Sequence, residues 1–267
     1  MIINPKYRFI FVHIPKNAGS VIRKSLYDYG KYNFYDKILE HPELGLIDFA
    51  HIPLKSLKKN FPADYRKFES FWSFAIIRNP YHRFSSSIAQ HLNMYSKKNS
   101  KYLSVHQMKK EIDNAINFLE KYPQTQLTLP LEYIHFQKQV DYIFVDQKKI
   151  IQTIVTTQKL DILEKEFFKH TGNKINLTNK DPVNQNLVCK FDNVLVNNLI
   201  KLNNIILKVI LGRSSNLKKI INSYFFISGS KKYHQLYESQ YVKNFIESYY
   251  KEDLDFFNLI SSNLNNI

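Results

Sequence analysis

The stretch F-I-F-V-H-I-P-K-N-A-G-S-V-I-R-K-S-L, residues 9 to 26, begins as a strand and ends as a helix, with Pro, Lys, Asn, Ala, Gly and Ser between them. Phe9 to Val12 is a continuous apolar run, the pattern of a strand covered on both faces in a parallel sheet. In such a sheet ligands bind beyond the carboxyl ends of the strands, where the following helices aim unsatisfied N–H groups and positive dipole ends outward. The turn is equipped for an anion. Gly19 lets the backbone come close, Ser20 can cap the helix or donate to an oxygen, and Lys16 supplies a mobile cation. The turn lacks the G-x-x-x-x-G-K-[ST] of a nucleotide triphosphatase.

A second unit of the same kind follows. Phe71 to Ile77 is apolar and ends at Arg78 in R-N-P-Y-H-R-F-S-S-S. Asn79 can cap a helix and Pro80 can take its first position, while Tyr81, Phe84, Ile88, Leu92 and Tyr95 recur at helical spacing. Arg78 then stands where the strand stops, with Arg83, Ser86 and Ser87 in the next two turns, and arginine forks with hydroxyls suit a phosphate dianion. Weaker strands are expected at 142–145 and 150–156 around a D-Q-K-K turn, and helices at 105–121, 128–139, 160–170 and 234–260. These units predict an α/β fold in a single domain over residues 1–267, with 186–232, rich in Asn, Ile, Leu and Lys, as a helical insertion near the C-terminus.

Composition narrows the partner. The 267 residues carry a formal charge of +15, so an acidic partner is expected: nucleotide, phosphate, sulfated glycan, nucleic acid or anionic lipid. Cys189 is the sole cysteine, which excludes an internal disulfide and a multi-thiolate zinc site. The histidines show neither H-x-x-x-H nor H-E-x-x-H spacing, so no metal is expected. The N-terminal M-I-I-N-P-K-Y-R meets charge and proline too soon for a secretory signal, which reads as cytoplasmic.

With both motifs in view, the chain resembles the PAPS-dependent sulfotransferases, in their carbohydrate sulfotransferase branch. H-I-P-K-N-A-G-S is similar to the family's 5′-phosphosulfate loop, usually written H-I-P-K-T-A-G-T. R-N-P-Y-H-R-F-S-S-S is similar to its 3′-phosphate motif, in which Arg78 and Ser86 match the phosphate-binding pair. F-A-H-I-P-L-K-S-L resembles a segment whose histidine is a candidate catalytic base, here His51. The resemblance implies a P-loop-NTPase-like parallel sheet flanked by helices and transfer of a sulfuryl group from PAPS to a carbohydrate hydroxyl, leaving PAP. It further implies that Lys16 and the backbone of Asn17, Ala18, Gly19 and Ser20 hold the 5′-phosphosulfate, with Lys16 acting on the leaving group. Arg78 and Ser86 would hold the 3′-phosphate. His51 would be the base, with Glu69 or Asp48 as the acidic alternatives, and no metal is needed. Residues 186–232 have no clear counterpart.

Two other readings compete. A P-loop-like kinase would share the architecture but lacks the Walker sequence, and a basic nucleic-acid-binding protein would explain the charge but shows no helix-turn-helix, zinc or RNP-type pattern. Within the insertion, Leu195, Leu199, Leu202, Ile206 and Val209 share a helical face, followed by Arg213, Lys218 and Lys219. That segment reads as an extra core helix, a partner surface, or an interfacial helix over 194–219 bringing the enzyme to a membrane-borne, lipid-linked glycan acceptor.

Overall fold

The computed structural model describes residues 1–29, 38–42, 45–96, 99–177, 187–211 and 223–265, and side chains over the same residues except 28, 204–211 and 265. In chain order the principal elements are β1 (Ile2–Asn4), β2 (Phe9–Val12), α1 (Gly19–Leu26), β3 (Trp72–Ile77), α2 (Pro80–Met94) and α3 (Val105–Lys121). They continue with β4 (Thr153–Thr156), α4 (Leu160–Thr171), α5 (Val194–Leu211), α6 (Gln240–Tyr249) and α7 (Lys251–Asn265). These group into two compact units, one of residues 1–87, 123–183 and 247–267, the other of 88–122 and 184–246.

The first unit is built on a four-stranded sheet in the order β1-β2-β3-β4. β2, β3 and β4 run parallel, and β1 joins antiparallel at the edge, Ile3 opposite Ile10. The apolar runs of β2 and β3 are fully buried because both faces are covered, as the sequence pattern requires. On one face Phe9, Phe11, Trp72, Phe74 and Ile76 pack with Ile22 and Leu26 of α1, Leu163 and Phe167 of α4, and Leu264 of α7. On the other, Ile10, Val12, Ala75 and Ile77 pack with Phe49, Ile52, Leu54, Leu57, Tyr142 and Ile143. The molecule is thus mixed α/β with a largely parallel sheet between helices, and α1 and α2 both start at the carboxyl edge, after β2 and β3.

Two local expectations are corrected. Residues 128–139 do not form an α-helix; Leu131–Phe136 is a 3-10 turn, because its carbonyls are captured by side chains instead of by amides four residues on. His135 O accepts from Ser87 Oγ at 2.7 Å and Phe136 O from Tyr250 Oη at 2.7 Å. The D-Q-K-K segment is not all turn. Asp146 and Gln147 both have positive φ, 50° and 63°, making a two-residue hairpin turn that pairs Val145 with Lys148.

The second unit contains α3, whose start is fixed by a capping box between Ser104 and Gln107. Leu187–Cys189 pairs with Phe226–Ser228, and Cys189, Phe226 and Ile200 of α5 form a small core. Along α5, Ile200 is buried, whereas Leu195, Leu199 and Leu202 are 73%, 61% and 58% exposed, so those three leucines do not face the core. The side chains of Ile206 and Val209, and Arg213, Lys218 and Lys219, lie outside the described residues, as do residue 186 and residues 212–222 of the expected insertion.

Phe74 has no exposed surface and meets Phe9, Phe11, Trp72 and Phe167 ring to ring. Phe74→Ala should cost about 3–5 kcal/mol, the loss of an aromatic side chain from a filled core, read from the shift in the urea unfolding midpoint. A loss under about 1 kcal/mol would show that the layer of α1, α4 and α7 does not close on this ring.

Candidate active site

Beyond β2 the chain passes through His13, Ile14 and Pro15 and turns sharply, with Lys16 at φ 67° and Ala18 at φ 59°, both left-handed. Such residues cost roughly 1–2 kcal/mol each when not glycine, and they recur where backbone N–H groups are aimed into an anion-binding concavity. α1 then begins at Gly19 with no side chain capping its first turn and no acid in it. Its first N–H groups therefore have no partner within the helix. Ser20 is exposed beside them.

Gly19 has a further steric reason that the sequence alone does not reveal. A Cβ there would come within 1.7 Å of His13 Nε2, so the imidazole occupies the place a side chain would need. The Asn17 side chain likewise turns inward, away from any ligand. It is 1% exposed and donates to Ile76 O at 2.8 Å and to Gln139 Oε1 at 2.7 Å, leaving only its backbone for an anion.

The second motif meets the first. Arg78 donates to Ser86 Oγ at 2.9 Å and to Lys16 O at 3.3 Å, so the sequence-matched pair Arg78 and Ser86 is assembled and tied to the lysine loop. Arg83 and Ser87, which the sequence reading grouped with them, serve structure instead. Arg83 is buried; it donates to Pro15 O, His135 O and Gln137 O and lies 3.7 Å from Asp253 of α7. Ser87 is spent on His135 O.

His51 closes the short turn Phe49–His51 after the strand Gly45–Asp48. Asp48 caps that turn through Oδ1, which accepts from Ala50 N at 3.0 Å, and its Oδ2 is 2.6 Å from His51 Nδ1. Both carboxylate oxygens are thus engaged, and with Nδ1 donating its proton, Nε2 keeps the lone pair. Asp48 is an orienting partner here. Glu69, by contrast, is exposed just before β3, at the end of the strand opposite to Arg78, so its candidacy fails on position. Two histidines that the sequence reading did not single out join the cluster: His13 lies 4.4 Å from His51 ring to ring, and His135 lies 5.5 Å from it.

Burial sets the protonation. It lowers the His51 pKa, an effect Asp48 partly offsets, and it lowers His13 well below the usual value. His135 is brought down to about 3, chiefly by burial and then by His51. Burial, followed by repulsion from Arg78, brings Lys16 down to about 8. At neutral pH the site therefore presents two cations beside three uncharged imidazoles. It can hold an anion with Lys16, Arg78 and the N–H groups of the loop, and take a proton at His51. No group of three or more His, Cys, Asp or Glu suited to a metal occurs among the described residues.

Comparison with known proteins gives one match by family. A family described as the Sulfotransferase family matches residues 1–259. No curated protein and no solved structure matches the chain.

The clash at Gly19 provides a test of this geometry. Gly19→Ala should lower stability by about 2 kcal/mol or more through overpacking, and the double variant with His13→Ala should recover most of that loss, as read by thermal and urea unfolding. Additive effects in the cycle would show that His13 does not occupy the space beside Gly19.

Proposed function

The chain belongs to the sulfotransferase family, and from that premise we propose that it moves a sulfuryl group from PAPS to a hydroxyl of a carbohydrate, on a P-loop-NTPase-like fold. The observation that carries the reading is the joining of the two cationic loops by Arg78, which reaches both Ser86 and Lys16 O. A donor with phosphates at both its 5′ and 3′ positions needs two anion sites side by side, and family membership points to such a donor over the kinase and nucleic-acid readings.

Transfer is an in-line displacement at sulfur, in which the acceptor oxygen bonds as the S–O bond to the 5′-phosphate breaks. Lys16 lies where charge develops on that phosphate, and its interaction strengthens as the bond breaks. The N–H groups of Asn17, Ala18, Gly19 and Ser20 hold the same phosphate, and Arg78 with Ser86 hold the 3′-phosphate. His51 takes the acceptor proton on Nε2, and Asp48 across the ring stabilises the imidazolium that forms. Protein cations supply the neutralising charge, so the scheme uses no metal.

The same proposal includes a cytoplasmic enzyme with a peripheral contact to an anionic membrane through 194–219, where a lipid-linked glycan would be found. Leu195, Leu199 and Leu202 on one exposed face support it, as does the fact that residues 88–122 and 184–246 hold most of the chain's surplus of Lys and Arg. No described helix is long and apolar enough to cross a membrane. The protein should float with phosphatidylglycerol vesicles at low salt and release as salt rises, and Leu195→Asp with Leu199→Asp should abolish flotation without changing the circular dichroism. Flotation that persists in that variant would assign the contact elsewhere.

The chemical step is tested by pH. The kcat/KM for PAPS should fall as pH rises past about 8, where Lys16 loses its proton, and Lys16→Arg should remove that limb. On the acid side activity should persist below the ordinary imidazole value of 6.5, because His51 is held below it. His51→Ala should keep PAP binding and lose roughly 100-fold or more in turnover, as a general base does. Near-normal turnover in that variant, or a basic limb unmoved by Lys16→Arg, would overturn the assignment.

A further inference from the structure

The two anion loops share a side chain that belongs to neither. Gln139 follows the 3-10 segment Leu131–Phe136, is 1% exposed, and lies beyond the end of β3. Its Oε1 accepts from Asn17 Nδ2 at 2.7 Å and from Arg78 N at 3.0 Å, and its Nε2 donates to Arg78 O at 2.9 Å. The pairing with both N and O of Arg78 imitates the bonds of a neighbouring strand, continued by a side chain past Ile77, the last β3 residue in register with β4. The amide cannot be turned over, since that would set Nε2 against two donors and Oε1 against a carbonyl. Behind it, Asp253 clamps the segment, its two oxygens accepting from Gln139 N at 2.9 Å and Val140 N at 3.0 Å.

We propose that Gln139 is the positioning residue that sets the distance between the lysine loop and the Arg78 loop, and so selects a nucleotide carrying both a 5′- and a 3′-phosphate. This rests on the reading of PAPS as donor. Gln139 does not touch the ligand; it acts through Asn17, which carries the lysine loop, and through the backbone of Arg78, which carries the guanidinium. A ligand that spans both loops gains from their fixed spacing, because its second phosphate binds at a high effective concentration, whereas a ligand with one phosphate gains nothing. Loosening the spacing should therefore cost the two-phosphate ligand and spare the one-phosphate ligand.

The experiment is calorimetric titration of PAP, adenosine 5′-monophosphate and adenosine 3′-monophosphate into the wild type, Gln139→Met and Gln139→Glu. Methionine keeps the volume and removes all three side-chain hydrogen bonds; glutamate keeps the two acceptor contacts and sets a carboxylate oxygen against Arg78 O. The wild type should prefer PAP over either monophosphate by about 100-fold or more, the scale of a linked second contact. In Gln139→Met that preference should fall at least tenfold while monophosphate binding changes less than threefold, and Gln139→Glu should lie between. Equal weakening of all three ligands, or an unchanged preference, overturns the proposal; if Gln139→Met does not fold, an unchanged preference in Gln139→Glu overturns it alone. A wild type that does not prefer PAP at all contradicts the donor reading, an outcome distinct from failure of the Gln139 variants.

Discussion

The ion pair between Arg83 and Asp253 is nearly sealed from water, and the loops of the site hang from it. Arg83 holds the carbonyl of Pro15, immediately before Lys16, together with those of His135 and Gln137, while Asp253 holds the amides of Gln139 and Val140. Burial raises the Asp253 pKa and the nearby guanidinium works against that rise. Desolvating two charges costs several kcal/mol, which the mutual attraction repays only when the remaining donors and acceptors are also satisfied. Here they are, by five backbone groups. The pair therefore contributes less as net stability than as definition, since it gives irregular backbone the hydrogen bonds that a helix or strand would otherwise supply.

That irregular backbone marks the limit of what the sequence discloses. The strands Phe9–Val12 and Trp72–Ile77 were legible because double burial leaves an uninterrupted apolar run, and the helix from Pro80 because Asn79 caps it, Tyr81 N donating to Asn79 Oδ1. Over residues 128–139 the expected helix gives way to the 3-10 segment Leu131–Phe136. What defeats the helix is side-chain capture by Arg83, Ser87 and Tyr250, all distant in sequence and invisible to periodicity. The roles of Arg83 and Gln139 were hidden for the same reason. Asp48 is a different case: a carboxylate three residues before a histidine, at a turn start, is a local signal, and only the choice between base and orienting partner needed coordinates.

The electrostatics of the site set two cations against each other. Lys16 is partly buried next to Arg78, and both burial and that repulsion push it toward deprotonation. A phosphate between the two cations would reverse both effects, because it replaces lost solvation and screens the repulsion. Ligand binding and proton uptake at Lys16 are thereby coupled. The three imidazoles are shifted in the same direction, and burial keeps them neutral, which is what a base for a hydroxyl acceptor requires. The site thus holds a charged acid and an uncharged base at the same pH, because lysine starts far above imidazole and burial lowers both.

The left-handed residues Lys16 and Ala18 show how this state is maintained. Glycine would adopt those dihedrals without strain, yet a glycine-rich turn would be ordered only at a larger entropic cost and would hold its N–H groups less firmly. The strain of Lys16 and Ala18 is offset from outside the loop, by Arg83 on Pro15 O, Arg78 on Lys16 O and the Asn17 side chain anchored to Ile76 O and Gln139. Each of the three residues Pro15, Lys16 and Asn17 is gripped by a bond from a different direction, and α1 then starts against the His13 ring at Gly19. Preorganisation of the anion site is accordingly a property of the surrounding scaffold, which is why a turn of six residues with one lysine and one glycine can be read as a binding loop only in the company of Arg78, Arg83, Gln139 and Asp253.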